Sequence, residues 1–145
     1  MEQIHATCIA IDGVGVLLRG PSGAGKSDLA LRLIDVGGRL VADDRADLRL
    51  VEGSVVATPP PALAGLIEAR GLGILRIGAL SDAAIALVVD LISAELVERL
   101  PARETVEILG VELPSVRIAP FEAAAVAKVR LAVREATKNI IRADD

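Results

Sequence analysis

The sequence predicts one α/β domain over residues 1–145, in which a mixed sheet is flanked by helices. Three observations predict it: a glycine-rich loop, short apolar runs, and two amphipathic helical stretches. Of the 145 residues, 52% are hydrophobic, which is enough to fill the core of one domain. Val, Ile, Leu and Ala supply nearly all of this content, and that composition is typical of a buried sheet.

Each element is predicted from hydrophobic periodicity and from the turn residues that bound it. Glycine pairs and Asp-Gly or Glu-Gly steps mark the turns, and the Gly37-Gly38 pair ends the first helix as a C-cap. The predicted elements, in chain order, are strands 1–11 and 14–18, a helix over 26–36, strand 39–42, a hairpin over 47–56, a short helix over 62–69, strands 74–77 and 85–91, a hairpin over 107–118, and a helix from 122 to about 141.

Composition also excludes several classes of function. The net charge is −4 and no basic cluster is evident, so we expect no nucleic-acid binding. No apolar run approaches the roughly 20 residues of a membrane span, and no signal sequence is recognisable at the N-terminus. We therefore expect a cytoplasmic protein that does not bind membranes. Cys8 is the one cysteine and is interpreted as a buried, reduced thiol.

The strongest motif is a P-loop between the second strand and the first helix. It satisfies the pattern G-x-x-x-x-G-K-[ST], and both flanking elements are of the right kind. Its glycines allow backbone N–H groups to converge on phosphate oxygens, and the helix N-terminus adds a positive dipole end. The predicted phosphate-binding residues are Gly20, Pro21, Ser22, Gly23, Ala24, Gly25, Lys26 and Ser27.

A second group of polar residues follows the next apolar strand. Asp43 and Asp44 end that strand, and adjacent residues of an extended chain point to opposite sides. One carboxylate can then face a metal ion and the other an acceptor, although aspartate is also common at a strand-to-turn boundary. For His5, the single histidine, the alternative to a role in the site is a purely structural role. For Glu68 and Arg70, the alternative is a charge pair exposed to solvent.

Taken together, these segments resemble one family, the bacterial HPr kinase/phosphorylases. The matching stretches occur in order over roughly residues 4 to 92: His5 before the turn at 12–16, the P-loop, the segment 40–45, and the segment 67–74. The resemblance implies a P-loop kinase fold of the HPr kinase and PEP carboxykinase type. It also implies ATP and Mg²⁺ as cofactors, serine phosphorylation of an HPr-like phosphocarrier protein as the activity, and a homo-oligomer, typically a hexamer.

The resemblance also implies roles for individual residues. Lys26 and the loop would hold the phosphates, and Ser27 and Glu68 would bind Mg²⁺. Asp44 would be the base for the acceptor serine, with Asp43 beside it and His5 approaching the same acid. Arg99 matches a catalytic arginine of the family.

Two features depart from the family pattern. Family members usually carry an additional N-terminal domain, whereas this chain begins at the catalytic domain. In this respect it resembles the short forms of the family found in alphaproteobacteria. The stretch 121–128 also lacks a Gly-Arg-Asn pattern that the family associates with phosphate removal and subunit contacts. We therefore expect the kinase activity to exceed the phosphorylase activity.

Two other functions remain open from the sequence. One is a small-molecule kinase or nucleotide hydrolase, although no second basic segment is evident to cover the phosphates. The other is a nucleotide-sensing module that binds a partner without transferring phosphate. Lys26, Ser27 and both aspartates are intact, and these are the groups whose loss would silence a kinase.

Overall fold

Nine strands form one mixed sheet, and two α-helices pack against one of its faces in a computed structural model that describes residues 1–143. Two further strands form a separate small hairpin. The strands are β1 (Glu2–Ile4), β2 (Ala6–Ile11), β3 (Val14–Arg19), β4 (Arg39–Ala42), β5 (Ala46–Val51), β6 (Ser54–Thr58), β7 (Leu66–Ala69), β8 (Gly73–Arg76), β9 (Ala83–Leu91), β10 (Glu104–Ile108) and β11 (Val111–Ile118). The helices are α1 (Lys26–Asp35) and α2 (Ala125–Ala136).

The order of the strands brings several loops to one edge of the sheet. The main path runs β1-β5-β6-β9-β3-β2-β4, and β11 pairs with β9 and β10. Strands β3, β9 and β11 are parallel, and β4 has the same direction because β3 and β4 are both antiparallel to β2. Their carboxyl ends therefore meet at one edge, which is where ligands bind in open α/β sheets.

The sheet is buried on both faces because its central strands are apolar at nearly every position. In β2, Ile9 and Ile11 pack with the two helices, whereas Cys8 and Ala10 face a second hydrophobic cluster on the other side. Burial raises the pKa of the Cys8 thiol to about 12, although a backbone hydrogen bond from Val16 acts in the opposite direction. The buried thiol predicted from the sequence is confirmed. Within residues 1–143, neither helix has the length and apolar character required to span a bilayer.

Most predicted elements are confirmed. The hairpin of β2 and β3 turns at Asp12-Gly13, and the hairpins β5–β6 and β10–β11 turn at 52–53 and 109–110. Helix α1 ends one residue earlier than predicted. Gly37 follows it with a φ of 107°, and the Gly38 N–H donates to the Leu33 carbonyl over 2.9 Å.

The predicted short helix over 62–69 is wrong. Only residues 61–63 form a 3₁₀ turn, after which Gly65 adopts a φ of 75° and the chain becomes strand β7. Ile67 and Ala69 are buried while Glu68 between them is exposed, which is the two-residue period of a strand. Pairing with β8, which lies further along the chain, stabilises this strand.

Two boundaries also differ from the prediction. The single strand predicted over 1–11 is divided at His5, because β1 pairs with β5 whereas β2 pairs with β3 and β4. The last helix covers 125–136 rather than 122 to about 141. It ends where Lys138 takes a φ of 63° and the Asn139 N–H donates to the Arg134 carbonyl. That hydrogen-bond pattern terminates a helix without requiring glycine.

Candidate functional site

The P-loop connects the carboxyl end of β3 to the first turn of α1. Gly23 and Gly25 have φ values of 83° and 101°, a region that residues with a Cβ seldom adopt. Gly25 is the residue before α1, and no side chain caps the helix there. The N–H groups of the first helical turn have no partner within the helix, so they are positioned to bind an anion.

The Lys26 ammonium lies along the inner rim of this loop. Its Nζ donates to the carbonyl oxygen of Gly20 over 2.6 Å and to that of Pro21 over 3.1 Å. The residue is only 8% exposed, so its charge is directed into the loop rather than into solvent. A cation held in this position can neutralise phosphates bound to the loop amides.

Asp43 is the buried centre of the polar group and is 8% exposed. Its Oδ1 accepts hydrogen bonds from the hydroxyls of Ser27 and Thr7, over 3.0 and 3.2 Å. Its Oδ2 accepts from the backbone N–H of Glu68 over 3.2 Å. One carboxylate therefore joins the P-loop helix, the β2 strand and the β7 strand, which are distant in the sequence.

Asp44 occupies a tight turn next to this carboxylate. The Arg45 N–H donates to the Asp43 carbonyl over 2.7 Å, and Asp44 between them has a φ of 67°. A three-residue turn with positive φ is uncommon, and such strain persists only where the surroundings stabilise it. The Thr7 hydroxyl does so by accepting the Asp44 N–H over 3.1 Å. As a result, Asp43 points inward and Asp44 points outward.

His5 and Asp44 form an exposed pair at the mouth of the site. His5 Nδ1 lies 4.0 Å from Asp44 Oδ1, which is an ion-pair distance and too long for a hydrogen bond. Their side chains are 66% and 61% exposed. The bend that separates β1 from β2 places His5 beside this acid. The Asp44 carboxylate is therefore accessible to a second macromolecule.

The remaining two predicted residues are less closely connected to this group. Glu68 is brought to Asp43 by its backbone N–H, whereas its side chain is exposed. Arg99 is exposed in the segment between β9 and β10. Within the described part of the chain it makes no hydrogen bond to the Ser27, Asp43 or Asp44 side chains. The structure thus gathers His5, Lys26, Ser27, Asp43 and Asp44, but not Arg99.

Two contributors to the site were missed from the sequence. Thr7 is fully buried, and its hydroxyl donates to the Asp43 carboxylate and accepts the Asp44 N–H. The sequence feature that could have identified it is a hydroxyl residue inside an otherwise apolar strand. Arg19 forms a bidentate ion pair with Asp90, with N–O distances of 2.8 and 3.1 Å. This pair fixes the end of β3 against β9 directly before the P-loop, and no local pattern indicated it.

A family model described as HPr Serine kinase C-terminal domain matches residues 1–141 of the chain. HPr kinase/phosphorylase of Clostridium tetani is 42% identical over 78 residues, which are 54% of this chain and 26% of that protein. The Clostridium kluyveri protein of the same name is 45% identical over 78 residues, or 54% and 25% of the two chains. The aligned part is thus about a quarter of the length of these curated relatives.

A solved structure has the same fold over nearly the whole chain. It is the Hpr(Ser) kinase/phosphatase from Coxiella burnetii, with a TM-score of 0.79 and 28% sequence identity. The superposition covers 96% of this chain and 90% of the other. The predicted P-loop kinase fold of the HPr kinase type is therefore confirmed.

Proposed function

This chain belongs to the HPr serine kinase C-terminal domain family, and we propose that it transfers the γ-phosphoryl group of ATP to a serine of an HPr-like phosphocarrier protein. We include the reverse reaction, phosphorolysis of the phosphoserine, as a weaker activity of the same site. The names of the relatives, HPr kinase/phosphorylase, support this substrate.

The observation that carries the proposal is the placement of two carboxylates on opposite sides of one turn. Asp43 faces the P-loop through Ser27, and Asp44 faces solvent beside His5. A protein kinase needs one group next to the nucleotide and another that is accessible to the hydroxyl of a protein substrate. A nucleotide hydrolase has no need for an exposed acid of this kind.

The donor set beside the P-loop suits Mg²⁺. Ser27 and Asp43 supply oxygen atoms 3.0 Å apart, and hard oxygens are the ligands that Mg²⁺ prefers. Within residues 1–143 no cluster of three or more His, Cys, Asp or Glu side chains is arranged to hold a metal. That fits an ion bound through one or two protein groups, substrate phosphates and water. When bound, Mg²⁺ neutralises charge on the transferred phosphoryl group. Glu68 remains a candidate third ligand.

The chemistry follows from these positions. The loop amides and Lys26 hold the phosphates, so the γ-phosphorus is presented to the acceptor in a fixed orientation. The serine oxygen bonds to this phosphorus while the bond to the bridging β–γ oxygen breaks, and ADP leaves. Asp44 accepts the serine proton as the new bond forms. His5, whose Nδ1 lies 4.0 Å from Asp44 Oδ1, would help to orient this carboxylate. Arg99 is proposed from the family resemblance only.

A single-turnover assay of Asp44→Asn tests the proposal. Asparagine keeps the shape of aspartate and tolerates positive φ, but it cannot accept the proton. We expect transfer from ATP to the phosphocarrier to fall by about 10² to 10⁴, while the Kd for ATP changes less than about threefold. Asp82→Asn, which alters an exposed carboxylate in the turn before β9, is the matched control and should retain the wild-type rate.

Each rival function gives a different result in this assay. A nucleotide sensor would bind ATP but transfer no phosphate to the phosphocarrier, even in the wild-type protein. A hydrolase or small-molecule kinase would consume ATP without labelling the phosphocarrier. Equal transfer rates for wild type and Asp44→Asn would remove Asp44 from the mechanism.

A further inference from the structure

A cleft of about 620 Å³ opens beside the P-loop, on the side away from Asp43. The loop follows β3; Asp43 follows β4 on one side of it, and β9 and β11 lie on the other. The walls of the cleft are the P-loop residues 21–24, the segment 91–96 after β9, and the segment 119–122 after β11. Its volume is in the range of small-molecule sites, and its walls come from the carboxyl ends of three parallel strands.

Phe121 is the only aromatic residue of the chain, and it lines this cleft. A Cβ added to Gly25 would fall 2.9 Å from Phe121 Cζ, so the ring lies directly against the last glycine of the P-loop. The ring is nevertheless 71% exposed. An aromatic face next to a phosphate-binding loop and open to solvent is available to stack with a planar group.

The segment that carries this ring is anchored to the P-loop helix. Arg32 on α1 donates a hydrogen bond to the Pro120 carbonyl. Arg32 also pairs with Asp28, one turn earlier in the same helix, over 3.0 Å. The backbone that carries the ring is therefore held relative to the loop, which reduces the ordering needed when a ligand binds.

The charge distribution indicates which part of a ligand the cleft accepts. No lysine or arginine is among its described lining residues. The one charged lining residue, Glu122, is paired with Lys128 over 2.8 Å. Leu91, Leu96 and Pro120 supply much of the remaining wall. The walls formed by 91–96 and 119–122 thus offer no cation to a phosphate and suit an uncharged, partly apolar group, whereas the P-loop wall and Lys26 suit the phosphates.

We propose that this cleft binds the nucleoside of the triphosphate, with the base stacked on Phe121. The inference rests on the proposed function only in requiring that the P-loop hold a nucleoside triphosphate. A nucleotide would then cross the loop with its γ-phosphate toward Ser27 and Asp43 and its base toward β9 and β11. Stacking on an aromatic ring contributes substantially to base binding elsewhere, and here a single residue provides it.

Calorimetric titration with ATP and with inorganic tripolyphosphate, each with Mg²⁺, tests the proposal. Both ligands engage the P-loop, but only ATP carries a base. Phe121→Ala should raise the Kd for ATP by about tenfold, within the range for the loss of one stacked base. The Kd for tripolyphosphate should change by less than about twofold. Leu50→Ala, which truncates an exposed apolar side chain on β5, is the matched control and should alter neither value.

A second variant blocks the cleft instead of removing the ring. Ala94 is an exposed lining residue, and Ala94→Trp should displace the base while leaving the loop intact. ATP binding should weaken at least tenfold, and tripolyphosphate binding should persist. Because Phe121 and Ala94 are both exposed, neither change removes buried packing, and retention of tripolyphosphate binding reports a folded loop.

Three results would overturn the proposal. An unchanged Kd for ATP in both variants would place the base elsewhere. Equal weakening of ATP and tripolyphosphate would mean that Phe121 only supports the P-loop through Gly25. A raised KM for the phosphocarrier with an unchanged Kd for ATP would make the cleft a protein-docking surface. These binding results do not depend on phosphotransfer, so failure of the proposed kinase activity would be seen separately.

Discussion

The Ser27 hydroxyl donates a 3.0 Å hydrogen bond to Asp43 Oδ1. These residues are 16 positions apart, and the bond joins the first turn of α1 to the end of β4. It places the hydroxyl group of the P-loop motif and a buried carboxylate at one point, at the mouth of the phosphate-binding loop.

The oxygen pair of Ser27 and Asp43 predicts the magnesium dependence of the activity. Ser27→Ala and Asp43→Asn should each raise the Mg²⁺ concentration for half-maximal transfer by about tenfold or more, the scale reported for ligand and second-shell changes at metal sites. A Mg²⁺ titration at saturating ATP measures the effect. Unchanged titration curves for both variants would exclude this oxygen pair from metal binding.

The role of Glu68 is tested separately by Glu68→Ala. Its backbone N–H bonds to Asp43, and this bond does not depend on the side chain. If the carboxylate is a metal ligand, the Mg²⁺ requirement should rise while the stability of the fold is little changed. An unchanged Mg²⁺ requirement would assign Glu68 to the solvated surface.

Thr7 is predicted to position both aspartates without touching the substrate. Thr7→Val keeps the side-chain shape but removes the hydroxyl that bonds to Asp43 and accepts the Asp44 N–H. We expect a loss of about 1–3 kcal/mol of stability, since buried polar groups lose a partner. We also expect kcat to fall about tenfold with a smaller change in the KM for ATP, because the tight turn at Asp44 is no longer fixed.

Thr7→Ser provides the control for this prediction, because it restores the hydroxyl and removes only a methyl group. Its kcat should return to within about threefold of the wild type. Chemical denaturation and steady-state kinetics on the three proteins separate the two effects. A Thr7→Val protein that is less stable but has wild-type kcat would limit Thr7 to a structural role.

The direction of the reaction is predicted from the segment 121–128. It lacks the Gly-Arg-Asn pattern expected from the family, and we find it instead forming a wall of the cleft and the start of α2. Incubation of phosphorylated phosphocarrier with inorganic phosphate should therefore release little pyrophosphate relative to the forward rate. Comparable forward and reverse rates would show that this pattern is dispensable.

Cys8 predicts a pH dependence of folding stability. The pKa of its buried thiol is raised from 9.0 to about 12, so the unfolded chain ionises first as pH rises. Between these values the unfolded state binds fewer protons, and stability falls with increasing pH. The contribution is intact below about pH 9 and is reduced by about 1 kcal/mol at pH 10.

Denaturant titrations at pH 8 and pH 10 measure this loss, with Cys8→Ala as the control. The variant should be less stable at both pH values because it leaves a cavity, but it should lack the thiol's share of the decrease. An identical decrease in the two proteins would assign the pH dependence to other groups.

The sequence by itself determined the elements whose signals are local. The P-loop glycines permit the positive φ values that the loop requires. The apolar period of α1 depends only on residues within the helix, and the Asp-Gly and Gly-Gly turns depend only on adjacent residues. For that reason the turn of the β2–β3 hairpin, strand β3 and helix α1 were predicted to within one residue, whereas the start of β2 was not. The prediction that Lys26 and Ser27 bind phosphate followed from the same short motif.

Tertiary structure alone decided what depends on distant pairing. The segment 66–69 became a strand because it pairs with β8 across the turn at 70–72 and because the Glu68 N–H bonds to the Asp43 carboxylate. Asp43 is 25 residues away in the sequence, and no local pattern indicates that contact. Thr7 and Asp90 acquired their roles by strand register, which brought them to the aspartates and to Arg19. Likewise, Phe121 reaches the P-loop only because β11 is parallel to β9. A carboxylate or an aromatic ring acquires its function from the groups placed against it, and long-range strand pairing determines which groups those are.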